Sequence, residues 1–110
     1  MFGLFGSRTP SMSMKEAQAE LEKDKSIVLL DVRGADEYRS GHIQGSINVP
    51  LDRVPTLMAQ KAPDKEKRIF VYCLSGARSN QAASWMVQNG YKNVTNIGGI
   101  SSWRGPVVSG

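Results

Sequence analysis

The chain of 110 residues contains one cysteine and one histidine, and both scarcities exclude chemistry. A single cysteine cannot close an internal disulfide, and one cysteine with one histidine cannot supply the ligands of the usual zinc sites. No apolar run approaches the ~20 residues that cross a bilayer as a helix. The opening Met-Phe-Gly-Leu-Phe-Gly, residues 1–6, is apolar but too short for a secretory leader and has no preceding positive charge. A cytoplasmic protein is the expectation. Blocks of like charge are also missing: the net charge of +4 is spread over scattered lysines and arginines, with neither a basic arm nor basic residues interleaved with aromatics. Neither a nucleic-acid nor a membrane partner is expected, and small anions gain most from a mild positive excess.

What is present is the composition of an ordinary globular domain, 40% hydrophobic and 22% charged. The length suits one domain that buries roughly two-thirds of the surface of its unfolded chain. Residues 1–10, with Gly, Ser and Thr-Pro and no periodicity, read as a flexible tail, residues 11–105 as the domain and residues 106–110 as a second tail. Ser13-x-x-Glu16 has the form of a capping box, with Ala17 and Leu21 following on one face, which predicts a helix over 14–24. The run from Ser26 to Asp31 is apolar without alternation, as in a strand buried on both faces, and it ends in a carboxylate. A helical turn over 35–40 and a short strand over 46–49, stopped by Pro50, come next. Leu51, Val54, Leu57 and Met58 predict a helix that Pro55 makes short or irregular.

Residues 68–72 form a second apolar run, and Ala82, Ala83, Met86 and Val87 give a helix over 79–89 its buried face, with Gly90 as its stop. A last strand over 91–97 and a short helix from Gly98 to Trp103 complete the chain. Strands alternating with helices imply an α/β domain with a mainly parallel central sheet. Sites in such sheets lie beyond the carboxyl ends of the strands, where Asp31 and Cys73 both fall.

Between the strand at 68–72 and the following helix lies Cys73-Leu74-Ser75-Gly76-Ala77-Arg78-Ser79. A lone cysteine is often an inert small hydrophobe, but these neighbours argue otherwise. A helix N-terminus and a nearby cation both favour the thiolate, and Arg78 supplies the cation. Gly76 permits a tight turn in which successive N–H groups form a concave nest. Such a cradle stabilises a thiolate, a persulfide or a bound oxyanion alike, so the residues point to nucleophilic or anion-binding chemistry without selecting the reaction. His42 is the one candidate general base, yet no carboxylate or amide stands at a spacing diagnostic of a Cys–His pair, and a structural, hydrogen-bonded role is expected.

Three separated motifs resemble the rhodanese-like domains, the sulfurtransferase family. Leu30-Asp31-Val32-Arg33 with Glu37-Tyr38, followed by residues 41–50, resembles its N-terminal motif; Cys73–Ser79 resembles its active-site loop; Gly98-Gly99 with Trp103 resembles its closing motif. The resemblance implies a three-layer α/β/α domain with a five-stranded, mainly parallel sheet, its first short strand near Met12. It also implies a reaction in which the Cys73 thiolate takes the sulfane sulfur of a small anionic donor such as thiosulfate, or of a low-molecular-weight persulfide. The sulfur is held as a persulfide and passed to cyanide or a thiol. Backbone amides of residues 74–79 would stabilise the persulfide and Arg78 the donor's sulfonate, and the resemblance implies that no metal or organic cofactor is needed.

Asp31, Arg33 and Glu37 could form an acid/base set, but persulfide exchange needs little proton transfer, so structural support is the expectation for these three and for His42. Gly98-Gly99 reads as a close-packed turn and Trp103 as a core plug. Within the same fold, phosphatases and arsenate reductases place seven residues from Cys to Arg; here Cys73 to Arg78 spans six, a seat for one sulfur atom. Leu74 departs from the family, which often has a basic residue there, and this predicts that thiosulfate is a poor donor. The alternative of a sulfur carrier or regulatory module serving a protein acceptor follows from Leu74 and from the lack of a second cysteine.

Overall fold

In the computed structural model, which describes residues 9–110, the chain enters through the capping box. The Glu16 amide donates to Ser13 Oγ at 3.1 Å, and Glu16 Oε1 accepts from the Ser13 amide at 3.4 Å. This pair opens α1, Met14–Lys23. There follow β1 (Val28–Asp31), α2 (Ala35–Ser40), β2 (His42–Ile43) and β3 (Ile47–Asn48). A 3-10 turn over Leu51–Arg53 leads into α3 (Val54–Lys61), whose second residue is Pro55, where its missing N–H costs nothing. Then come β4 (Arg68–Cys73), α4 (Ala77–Gln88), β5 (Asn93–Gly99), a 3-10 turn over Ile100–Ser102, and β6 (Val107–Val108).

Four parallel strands form the central sheet in the order β3-β1-β4-β5, and β2 pairs with β6 in a separate antiparallel ribbon. Successive side chains of a strand point to opposite faces, so β1 and β4 each feed two cores. Leu30, Ile69, Val71 and Cys73 join Val54, Met58, Ala82, Ala83 and Met86 under α3 and α4. Leu29, Phe70 and Tyr72 join Met14, Ala17, Ile43 and Ile97 under α1. The result is a three-layer α/β/α arrangement with the sheet buried on both faces.

Three expectations are corrected. The sheet has four strands rather than five: the short first strand implied near Met12 is a single parallel bridge between Ser11 and Asn96. Its hydrogen bonds run from the Met12 amide to the Asn96 carbonyl, 3.0 Å, and from the Asn96 amide to the Pro10 carbonyl, 2.9 Å. It cannot lengthen, because Pro10 has no N–H to donate and Ser13 already caps α1. Residues 106–110 are not a free tail: His42 pairs with Val108 and Ile43 with Val107, and the Gly110 amide reaches the Arg39 carbonyl at 2.9 Å. The helix expected over 79–89 begins two residues earlier, at Ala77, on a left-handed Gly76. Of the other tail, residues 1–8 lie outside the described residues, while the Pro10 carbonyl is bonded as above. Among the described residues no helix is long and apolar enough to cross a membrane.

Candidate active site

β4 delivers Cys73 to the carboxyl edge of the sheet, and the chain must then turn sharply to start α4. Gly76 makes the turn with φ 113°, a conformation that L side chains rarely adopt. The turn folds the loop amides back over the sulfur. The Gly76 amide donates to Cys73 Sγ at 3.0 Å and the Ser79 amide at 3.4 Å, while Ser79 Oγ lies 3.4 Å away. Cys73 is 1% exposed, so the sulfur forms the floor of the loop. Burial pushes its thiol up, but the Ser79 hydroxyl and the amides of Ser79, Gly76 and Ser75 outweigh it, and the thiol titrates below its ordinary value.

A thiol held down by hydrogen bonds to its charged form should react at lower pH than a free one. The pH profile of Cys73 alkylation by iodoacetamide is expected to have its midpoint below that of free cysteine. Ser79→Ala removes a hydroxyl whose one proton the thiolate shares with Asn96 Oδ1 and the Gly76 carbonyl, and should raise that midpoint. An unchanged midpoint would remove the Ser79 hydroxyl from the account.

Ser79 Oγ also lies 2.7 Å from Asn96 Oδ1 and 3.1 Å from the Gly76 carbonyl. Asn96, which sequence reasoning missed, is a hub: Oδ1 accepts from the Gly98 amide at 3.0 Å, and Nδ2 donates to the Gly76 carbonyl at 3.3 Å. The available signal was its position. It lies two residues after Val94 and so on the α4 face, in the middle of the strand beside that of Cys73. A register shift makes Val71 pair with Asn96 but Tyr72 with Gly98, and this sets Gly99 against Cys73. The loop rests directly on Gly99: a Cβ there would lie 2.0 Å from the Leu74 carbonyl oxygen. The same carbonyl accepts from Ser101 Oγ at 3.2 Å.

The remaining loop residues divide by exposure. Leu74, Ser75 and Ala77 face outward, and Arg78 is half-buried. Arg78 Nη1 and Nη2 donate to Glu37 Oε1 and Oε2 at 2.8 and 3.0 Å. The Arg78 guanidinium, with the Gly34 amide, holds the Glu37 carboxyl down to about 2. Any stability from this pair is present above the ordinary carboxylate range and fades as pH falls toward that value. Asp31 and Arg33 form a second, deeper pair: Arg33 Nε lies 3.1 Å from both carboxylate oxygens, and Nη2 reaches Oδ2 at 2.7 Å and the Gly41 carbonyl at 2.7 Å. The structure thus splits Asp31, Arg33 and Glu37 between two ion pairs. His42 is buried, stacks on Tyr38 with centroids 3.6 Å apart, and donates from Nδ1 to the Tyr38 carbonyl at 2.8 Å.

Trp103 is half-buried against the α1 core, and its Nε1 donates to the Pro106 carbonyl at 3.1 Å. Tyr72 accepts from the Ile43 amide at 3.0 Å and shares a hydrogen bond with Ser46 Oγ at 3.0 Å, fastening the 43–46 segment to the strand that carries Cys73.

The fold is an open α/β sheet with its cysteine at a strand–loop–helix junction, and known proteins share that fold. The family model of the rhodanese-like domain matches residues 13–106, and the chain belongs to that family. It is 40% identical over 81 residues to the thiosulfate sulfurtransferase PspE of Escherichia coli strain K12, covering 74% of this chain and 78% of that protein. It is 34% identical over 100 residues to the putative sulfur carrier protein YrkF of Bacillus subtilis strain 168, covering 90% of this chain but 53% of that protein. A tRNA uridine(34) hydroxylase of Erwinia tasmaniensis is 38% identical over 90 residues, which are 77% of this chain and 25% of the hydroxylase. Among solved structures, a rhodanese with anions from E. coli superposes with TM-score 0.72 at 38% identity, covering 76% of this chain and 99% of that one. A thiosulfate sulfurtransferase from Pseudomonas aeruginosa superposes with TM-score 0.82 at 31% identity over 93% of this chain and 20% of that one.

Proposed function

We propose that the protein is a sulfurtransferase working through a persulfide on Cys73. The observation that carries this reading is the buried sulfur facing the amides of Gly76 and Ser79 across a six-residue span to Arg78. The thiolate attacks the outer sulfur of a donor, thiosulfate or a low-molecular-weight persulfide. A new S–S bond forms at Cys73 Sγ, and the donor's own bond to that sulfur breaks, releasing sulfite or a thiolate with the bonding electrons. The persulfide, its charge held by the loop amides, then gives its outer sulfur to cyanide or a thiol and returns Cys73 as thiolate. Asp31, Arg33, Glu37 and His42 act by holding the surrounding loops. The likeness to PspE, a thiosulfate sulfurtransferase, supports this reading.

Intact mass spectrometry after exposure to thiosulfate or glutathione persulfide is expected to show the gain of one sulfur atom on the wild type and none on Cys73→Ser. A wild type that gains no sulfur from either donor overturns the proposal. A second reading, a sulfur carrier whose acceptor is a protein, is favoured by the exposed, uncharged Leu74 beside the nucleophile and by the likeness to YrkF. Rapid turnover with cyanide would count against it.

A further inference from the structure

Arg78 is the one cation in the Cys73–Ser79 loop, and both of its terminal nitrogens are engaged by Glu37. The pair is not interior: the two side chains are 35% and 39% exposed and border a depression of about 390 Å³ beside the loop. Val32, Pro50 and Leu51 give that depression apolar walls, and its charged groups are Arg78, Glu37 and Asp52. Two carboxylates against one guanidinium leave it with a formal charge of −1. Leu74, adjacent to the sulfur, is 49% exposed and adds apolar surface. On the loop's other side, a second depression is lined by Met12, Met14 and Ile97, with Lys15 at its exposed rim.

We propose that Glu37 is a specificity-determining residue which, by neutralising Arg78, turns the site from the thiosulfate dianion toward organic persulfides. This rests on the sulfurtransferase reading above and names its donor class. Thiosulfate carries two negative charges toward a thiolate and releases a sulfite dianion, so its transfer needs unpaired positive charge close to the sulfur. An organic persulfide, R–S–SH, makes a smaller demand. The Cys73 thiolate attacks the outer sulfur, the inner S–S bond breaks, RS⁻ leaves with the electron pair, and the proton stays on the transferred sulfur. The carbon side of R fits the walls of Val32, Pro50 and Leu51. Discrimination here is built partly from repulsion: Glu37 and Asp52 disfavour the dianion more than they disfavour a monoanionic leaving group.

The test is the kinetics of Cys73 loading from thiosulfate and from 2-hydroxyethyl persulfide, an uncharged donor whose leaving thiolate is a monoanion, followed by intact mass. The wild type is expected to load more efficiently from the persulfide. Glu37→Gln keeps an oxygen for the Gly34 amide but leaves Arg78 uncompensated. It should raise kcat/KM for thiosulfate roughly tenfold through KM, the size expected of one charge at a partly exposed site, with a smaller change for the persulfide. That gain should shrink as ionic strength rises, which loss of a purely structural contact would not produce. Leu74→Lys, which adds a cation without touching the ion pair, should move the thiosulfate KM in the same direction. A thiosulfate KM that rises in Glu37→Gln, or a wild type that prefers thiosulfate, overturns the assignment. No sulfur gained from either donor overturns the sulfurtransferase reading itself, a distinct result.

Discussion

Gly99→Ala is expected to slow sulfur loading of Cys73 about a hundredfold or more while leaving most of the sheet intact. The reason is steric. Gly99 has an extended backbone that any residue could adopt, so conformational freedom is not what the position requires. It requires the absence of a side chain, because a Cβ would fall 2.0 Å from the Leu74 oxygen, 2.5 Å from the Leu74 carbonyl carbon and 2.6 Å from Ser75 Cα. All three atoms are backbone, so no rotamer change relieves the contact. Ordinary contact distances of ~3.5 Å demand that the loop retreat by roughly 1 Å or more. A displacement of that size at a reacting centre costs about 10²-fold in rate. Here it would carry the Gly76 and Ser79 amides away from the sulfur. Loading rate by intact mass, with a thermal melt as control for folding, checks this; wild-type loading would show that the loop does not depend on the contact.

The second large effect concerns stability. Asp31 is fully buried and Arg33 is 5% exposed, and Asp31 Oδ1 also accepts from the Arg33 amide at 2.9 Å. Arg33→Met leaves the Asp31 carboxylate buried without its charge partner and the Gly41 carbonyl without its donor. Breaking such a pair from one side costs about 3–5 kcal/mol, a large share of the ~5–15 kcal/mol that holds a domain together. Denaturant unfolding should show the midpoint drop without a change in slope. The double variant Asp31→Leu/Arg33→Met is expected to recover part of the loss, since no charge then remains buried, but not all of it, because the Gly41 carbonyl still lacks its donor. A cost below about 1 kcal/mol for Arg33→Met would mean that water reaches the carboxylate.

The parts of the fold and candidate site that could be read from the chain were those with a local cause. The capping box at Ser13 and Glu16, the apolar runs at 26–31 and 68–72, and Gly76 between a strand and a helix each fit within one turn or one strand. Where the signal was weak, the boundaries moved. Helix α4 starts before Ser79 because its N-cap is a glycine with no side chain to announce it, and the Ser79 hydroxyl turns back to the Gly76 carbonyl. The two valines of β6 are too few to show alternation, and only the partner strand at 42–43 explains them. The Glu37–Arg78 pair spans 41 positions, and no short-range pattern links its ends. Asn96 looks like any polar strand residue until the register shift beside Tyr72 brings Ser79 and Gly98 to its amide.

The single bridge at Ser11 has a consequence for where the domain begins. The family match starts at residue 13, yet the Pro10 carbonyl and Met12 amide occupy both backbone groups of Asn96 on the open side of β5. A chain trimmed to the matched residues would strip those partners from the sheet's outer strand and would remove β6 from the far ribbon as well. Unpaired strand edges are templates for other chains. Residues 10–12 therefore act as a selvedge: a short border that keeps one molecule's sheet from being continued by the next.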